Sequence, residues 1–504
     1  MNCWICLAVC MARSRTFKAG VIASGHFLRA SVGLVSLAIL ARVLTVEHYA
    51  TYRQTMLAFV FVSPLLILGL PDVLYHFMPA DKDRARGVLI ENLLLLAVMG
   101  AVFSLFLLCG GNRLLAWRFN NPALATTLIF FAPYSLFMLP ARALDGCLLA
   151  RDRAARAAAF NVLARVVLLA IVISAALIWR TSLAAVIAVA VSAAVTLGPA
   201  IALMLAATRG TRGDISWSGA RSQLKLSVPL ALGGMVVMLS AHIDKVIVSS
   251  MCDLRQVAVY MNGAIELPLV DVVTTSAMCV ILPELTVCFT DGRRGDLLVL
   301  WRRTVEKCLT VLAPAMAFVL VMAPELMTVL FSSTYAQSAY PLRIYSLLLP
   351  LRATQLATVF IAAGRSGFVT IAASVGLAVN VLLSILFVRW IGPSGAAWAT
   401  VISVYSMTLC AFIATGSLLK CGLGDIVRIR RVGGIILVAC LPGACVYSLG
   451  LAIPGGAVVR LSVLTPVFAI LLVIAYHITG VVPIRRVAGR VFGQRGERAQ
   501  DAEN

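Results

Sequence analysis

Ionisable side chains buried in long apolar runs are the residues of this sequence best placed to do chemistry. Arg29, Arg165, Glu266, Asp271 and Arg352 each lie deep within such a run. A charge there costs roughly 2.5–3.5 kcal/mol on insertion scales, so each must face a partner or a polar cavity. Arg29 shares a helix face with Gly25, Gly33 and Ser36, and Asn262 shares one with Glu266 and Thr274. Two chemistries suit the set. Guanidinium forks match the oxygens of a phosphate or pyrophosphate. Carboxylates at membrane depth can titrate or hold Na+, which would couple movement to an ion gradient. Interhelical ion pairing explains any single member equally well. Arg53, Asp72, Arg142, Asp145, Lys245, Glu284 and Arg343 lie within about two turns of a run's end, where long side chains can snorkel outward. The candidate substrate-binding set is Arg29, Arg165 and Arg352 together with Arg53 nearer a run's end, and the candidate ion-coupling set is Glu266 and Asp271 together with Asp244. His26, His76, His242 and His477 have no spacing partner and read as structural or interfacial.

The elements that position these residues follow from composition. Of 504 residues, 61% are hydrophobic and only 12% charged, against about a quarter charged in soluble proteins. The apolar residues come in runs of about 20, enough to cross roughly 30 Å of hydrocarbon. Fourteen runs can be delimited: 17–44, 49–79, 88–110, 122–150, 157–179, 183–207, 224–251, 257–289, 305–331, 341–364, 367–389, 395–419, 432–451 and 461–480. The expected fold class is an all-α integral membrane protein of about fourteen transmembrane helices. No connection is long enough to hold a soluble catalytic domain. No metal-ligand spacing, nucleophile elbow or phosphate-cradling glycine loop falls on a suitable element. Transport, not catalysis, is the expected class, with no cofactor beyond a coupling H+ or Na+.

Charge orients the runs. If the N-terminus is cytoplasmic, 28 of the 42 lysines and arginines fall in cytoplasmic connections or tails and 7 on the opposite side. That bias follows the positive-inside rule and puts both termini in the cytoplasm. It also explains the net charge of +21 without a nucleic-acid partner. The thirteen cysteines lie mostly inside apolar runs and read as small packing residues, not as a disulfide framework.

A faint repeat of about 210 residues adds a division. Residues 46–52 align with 254–260, placing Tyr52 over Tyr260, and 184–197 align with 396–409. The expected organisation is an N-terminal extension over 1–16, a six-helix lobe over 17–215 and a second over 216–420. Two further helices over 421–482 and a basic cytoplasmic tail over 483–504 complete it. Such parallel repeats place a substrate cavity between the two lobes.

Two stretches, Ala41-Arg42-Val43-Leu44 through Tyr52 and Ser227-Val228-Pro229-Leu230 leading to Ile243-Asp244-Lys245-Val246 and Val259-Tyr260, resemble the polysaccharide transport branch (O-antigen and exopolysaccharide flippases) of the multidrug/oligosaccharidyl-lipid/polysaccharide exporter superfamily. Further matches are Glu325-Leu326 through Phe331 and Tyr335, then Leu342-Arg343-Ile344. The most specific is Ile391-Gly392-Pro393-Ser394-Gly395-Ala396-Ala397-Trp398-Ala399-Thr400. The likeness spans nearly the whole chain. It departs at His48 and Ala50, where the family often carries acidic and glycine residues. The resemblance implies a flippase that moves an undecaprenyl-pyrophosphate-linked oligosaccharide across the bacterial inner membrane for surface polysaccharide synthesis, working among membrane lipids and alongside a polymerase and a chain-length regulator. A cation-coupled drug antiporter of the same superfamily and a lipid II flippase are the alternatives, and a non-transporting scaffold would leave the deep charges unexplained.

Overall fold

The computed structural model describes residues 32–481. Arg29, His26, the extension over 1–16 and the tail over 483–504 lie outside the described residues. Helices account for nearly everything described. They are α1 (Val32–Val43), α2 (Val46–Ala80), α3 (Ala85–Arg118), α4 (Pro122–Ala150), α5 (Ala154–Trp179) and α6 (Ser182–Ala207). Next come α7a (Trp217–Ser240) and α7b (Ile243–Met251), then α8a (Leu254–Gly263) and α8b (Pro268–Thr290). After α9 (Arg294–Phe331), a bent pair forms α10a (Ser333–Ser346) and α10b (Leu349–Ala362). The series ends with α11 (Ser366–Ile391), α12 (Ser394–Leu419), α13 (Ile429–Ala452) and α14 (Ala457–Thr479). Among the described residues twelve helices are long and apolar enough to cross a membrane, thirteen if the bent pair is one span. With the shorter α1, which holds the described part of the first run, their order follows that of the expected runs and the count is roughly the one expected.

Two helices run on past the charges that bound their apolar runs. Arg113 and Arg118, expected in a connection, extend α3 beyond a distorted turn at Leu107–Gly111, where Gly110 takes a φ of 112°. Arg302, Arg303 and Lys307 lie on the first half of α9, which runs for 38 residues. A helix can carry basic residues beyond the hydrocarbon at no cost, so charge marks the membrane's edge and not the helix's end.

Proline positions explain several polar contacts. A proline inside a helix frees the carbonyl four residues earlier, and in lipid that oxygen must find another donor. Pro64 frees Val60 O, which accepts from Ser63 Oγ at 3.1 Å. Pro314 frees Thr310 O, which accepts from the Tyr476 hydroxyl of α14 at 3.0 Å. Pro324 frees Leu320 O, which accepts from Arg343 Nε of α10a at 2.8 Å. Arg343 is thereby a structural residue that ties α10a to α9.

Packing relies on small residues that let helices approach closely. A Cβ on Gly146 of α4 would run into Pro71 O of α2, and one on Gly100 of α3 would lie 2.7 Å from Ser135 O of α4. Helices α2 to α6 pack chiefly on one another, as do α7 to α14, while α2 also contacts α7a, α7b and α8a. Outward faces are apolar throughout, with Leu163, Ile178, Leu382 and Leu437 exposed. So large an apolar surface suits lipid and would not survive in water.

Candidate functional site

Three helices break at neighbouring places. Helix α7 is interrupted at Ala241–His242, α8 between Gly263 and Pro268, and α10 around Leu347 and again before Leu356, where Gln355 takes a φ of 44°. In α8 the cause is local, because a residue before proline is held extended: Leu267 has ψ 133°. Helix α9 satisfies part of the freed backbone, with Trp301 Nε1 donating to Thr354 O at 2.9 Å, and Gln355 of the α10 break ties to α8b by donating through Nε2 to Thr274 O at 2.8 Å. Interrupted backbone at membrane depth is tolerated where it lines a cavity.

A cavity of about 360 Å3 lies at these breaks, between α1–α2 on one side and α7–α8 on the other. Gly33, Leu34, Leu37, Met56, Leu57 and Val60 give its first wall an apolar surface. The opposite wall brings His242, Lys245 and Glu266, and Arg53 of α2 joins them. Three charged side chains therefore converge on a concave, otherwise apolar space, the usual form of a ligand site.

Of the expected substrate-binding residues, Arg53 lines the cavity but already has protein partners. Its Nη1 donates to the Tyr49 hydroxyl at 2.9 Å and to Asn262 Oδ1 at 3.2 Å, and Nη2 donates to Met261 O at 2.8 Å. Tyr49 also donates to Asn262 Oδ1, at 2.6 Å, and its ring meets Tyr335 edge-on at 5.6 Å. Arg53 thus clasps α2 to α8a. Arg352 ends the first turn of α10b and pairs with Glu266 of the α8 break; both side chains are about half exposed, 47% and 50%. An ion pair so open is worth only about 0–1 kcal/mol. Arg165 sits mid-way along α5 within electrostatic reach of Tyr134, and Asp271 is in the first turn of α8b. Each has a protein interaction of its own, and neither lines the cavity.

Asp244, expected to couple ions, is 1% exposed. Its Oδ2 accepts from the Tyr260 hydroxyl at 2.7 Å and from the Tyr345 hydroxyl, and Lys245 Nζ lies 3.5 Å from Oδ1. Thr400 of α12 reaches Tyr345, and Asn380 and Ser384 of α11 continue the polar chain, with Ser384 Oγ donating to Asn380 Oδ1 at 2.8 Å. Asn262 and Glu266 do not share a helix face, contrary to their spacing, because the α8 break separates them.

One cluster was missed. Glu91 of α3 is buried, pairs with Arg84, and accepts from Ser216 N at 2.7 Å and Gln223 Nε2 at 3.1 Å. Asn92 Nδ2 donates to Gln223 Oε1 at 2.9 Å and to Leu70 O at 2.7 Å, beside the left-handed Leu68 and Gly69 that break α2. Glu91 lay one turn inside an apolar run, which was the available signal. His48, one of the two departures in the first connection, bonds through Nδ1 to Ser182 Oγ of α6 at 3.2 Å.

Comparison with known proteins agrees with this architecture. The family model described as "Polysaccharide biosynthesis protein" matches residues 39–340. The "Probable lipid II flippase MurJ" of Rhizobium meliloti (strain 1021) is 26% identical over 431 residues, covering 79% of this chain and 77% of that protein. The structure titled "Lipid II flippase MurJ, inward closed conformation" superposes with a TM-score of 0.70 at 14% identity, over 91% of this chain and 98% of that one. An inward-facing multidrug resistance MATE family transporter of the MOP superfamily gives 0.65 at 17% identity, over 77% of this chain and 94% of that one. The fold is thus the one seen in MurJ and MATE transporters, and the chain belongs to the polysaccharide biosynthesis protein family.

Proposed function

We propose that this protein is a flippase, not an enzyme, and that it carries an undecaprenyl-pyrophosphate-linked oligosaccharide across the bacterial inner membrane for surface polysaccharide synthesis. The observation that carries the reading is the cavity itself. Its apolar wall is compatible with lipid, and Arg53, Lys245 and nearby Arg352 supply positive charge for a phosphate-bearing head. In this reading residues 17–215 and 216–420 are two lobes that rock about the cavity, with 421–482 added outside them. The caps support that division: α2 is capped by Thr45 and α8a by Asp253, at the phase of the sequence repeat of about 210 residues. Both termini lie in the cytoplasm. Asp244, held by two tyrosines beside Lys245, is the carboxylate best placed to couple H+ or Na+ to transport. A polymerase and a chain-length regulator are the expected protein partners.

The relative named as a probable lipid II flippase favours a second cargo, a peptidoglycan precursor. Proteoliposomes holding the purified chain distinguish the two. A fluorescent polyprenyl-diphosphate oligosaccharide should cross them, and excess unlabelled lipid II should compete weakly. Strong competition would assign lipid II as the cargo. Export of a cationic dye with no lipid movement would overturn the flippase reading in favour of antiport.

A further inference from the structure

Each cation at the cavity is already engaged by the protein, but not to the same degree. Arg53 directs both terminal nitrogens at three acceptors on α2 and α8a. Lys245 lies between Asp244 Oδ1, at 3.5 Å, and Ala241 O, at 3.2 Å, with only 14% of its side chain exposed. Arg352 differs. Its pairing with Glu266 runs through Nη2, and both side chains stand half open.

The pair's position is also distinctive. Glu266 lies in the interruption between α8a and α8b, and Arg352 in the short turn where α10b begins. The two line a small recess with Ile265, Tyr345 and Leu349, and Glu266 lines the main cavity as well. A carboxylate set on a guanidinium at the edge of a cavity meant for an oxyanion occupies the place that oxyanion would take. Carboxylate and phosphate oxygens present the same acceptor geometry to an arginine fork, and a phosphate brings more charge and more oxygens.

We propose that Glu266 is an internal stand-in for the substrate's phosphate, which displaces it from Arg352 and thereby unties the α8 break from the α10 break. This rests on the proposed transport of a phosphate-bearing substrate. It makes Glu266 a negative determinant of affinity and Arg352 the arginine whose engagement changes on binding. Arg53, fixed in its clasp, holds the wall. The exchange needs no covalent step, since one anion replaces another on a guanidinium that stays charged throughout.

The test uses the full chain in nanodiscs of neutral lipid, with two probes: inorganic pyrophosphate and a polyprenyl diphosphate. Removing the competing charge with Glu266→Gln should tighten binding by about fivefold or more. Arg352→Gln should weaken binding, and in the double variant Glu266→Gln should give no gain. Glu266→Ala should tighten binding like Glu266→Gln, and the melting temperature of each variant shows that it is folded. A gain with the lipid alone names the lipid headgroup as the ligand, and a gain with both names the diphosphate itself. Unchanged or weaker binding in folded Glu266→Gln and Glu266→Ala, with Arg352→Gln still weakened, would overturn the stand-in and leave the transport reading intact. If no form of the protein bound either probe, both would fall.

Discussion

Arg53 shows how a cation at membrane depth can serve as a mechanical part. Its guanidinium joins Tyr49, Asn262 and Met261, so its charge is matched by acceptors that ordinary opening of the cavity would have to break. Alanine at Arg53 and alanine at Asn262 should therefore be strongly non-additive, with a coupling of about 1–3 kcal/mol in a double-mutant cycle of thermal unfolding. Additive effects would show that the clasp is incidental. Cys252, in the turn between α7b and α8a, allows a test of a different kind. Burial, with the Asp253 charge adding, pushes its thiol from 9.0 up to about 11. Because the thiolate is the nucleophile, alkylation below both values should be slowed by about a hundredfold relative to an ordinary thiol, and should rise tenfold per pH unit until near pH 11. Maleimide kinetics on a variant retaining only this cysteine measure it.

At the scale of elements, the close contact of α4 with α2 and the buried carboxylate of α3 each make a prediction. Gly146→Ala should cost about 1–3 kcal/mol by forcing α4 away from Pro71, whereas Gly198→Ala, with no atom within 4 Å of the new methyl group, should be close to neutral. Glu91→Ala leaves the Ser216 amide without its acceptor, while Gln223 Nε2 keeps Val88 O and the partly exposed Arg84 keeps Asp81 and Asp214 O. A loss of about 1–3 kcal/mol is expected, seen as a lower melting temperature in detergent. Elements of this length were legible in the sequence, because twenty apolar residues between charged connections have one stable solution in lipid. Breaks were legible only in part. Pro268 announced the one in α8, while that in α7 at His242 has no proline or glycine to mark it. Convergence was not legible at all: that Arg352 meets Glu266, or that two tyrosines distant in sequence enclose Asp244, depends on how helices pack. Hydrophobicity says that a charge needs a partner and leaves its name to the fold.

At the scale of the molecule, the proposed orientation places the α8b–α9 connection in the cytoplasm and the α13–α14 connection outside. Single cysteines replacing Asp291 and Pro454 in a background without other cysteines should react with an impermeant maleimide from opposite sides, the first only in inverted vesicles and the second only in right-side-out ones. Labelling from the same side would break the fourteen-helix count. The long α9 adds a consequence of its own. At 1.5 Å per residue its 38 residues extend to roughly 57 Å, nearly twice the hydrocarbon thickness of about 30 Å. Tilt and turns beyond the hydrocarbon take up the excess, and the Arg294 end stays anchored because Leu297, Trp301 and Val305 are buried in the core. A tilt of 10° about the far end of the whole helix would carry its Arg294 end sideways by roughly 10 Å. A spin label near Arg294 would magnify rearrangements that are barely measurable at the cavity, making this helix the protein's own pointer.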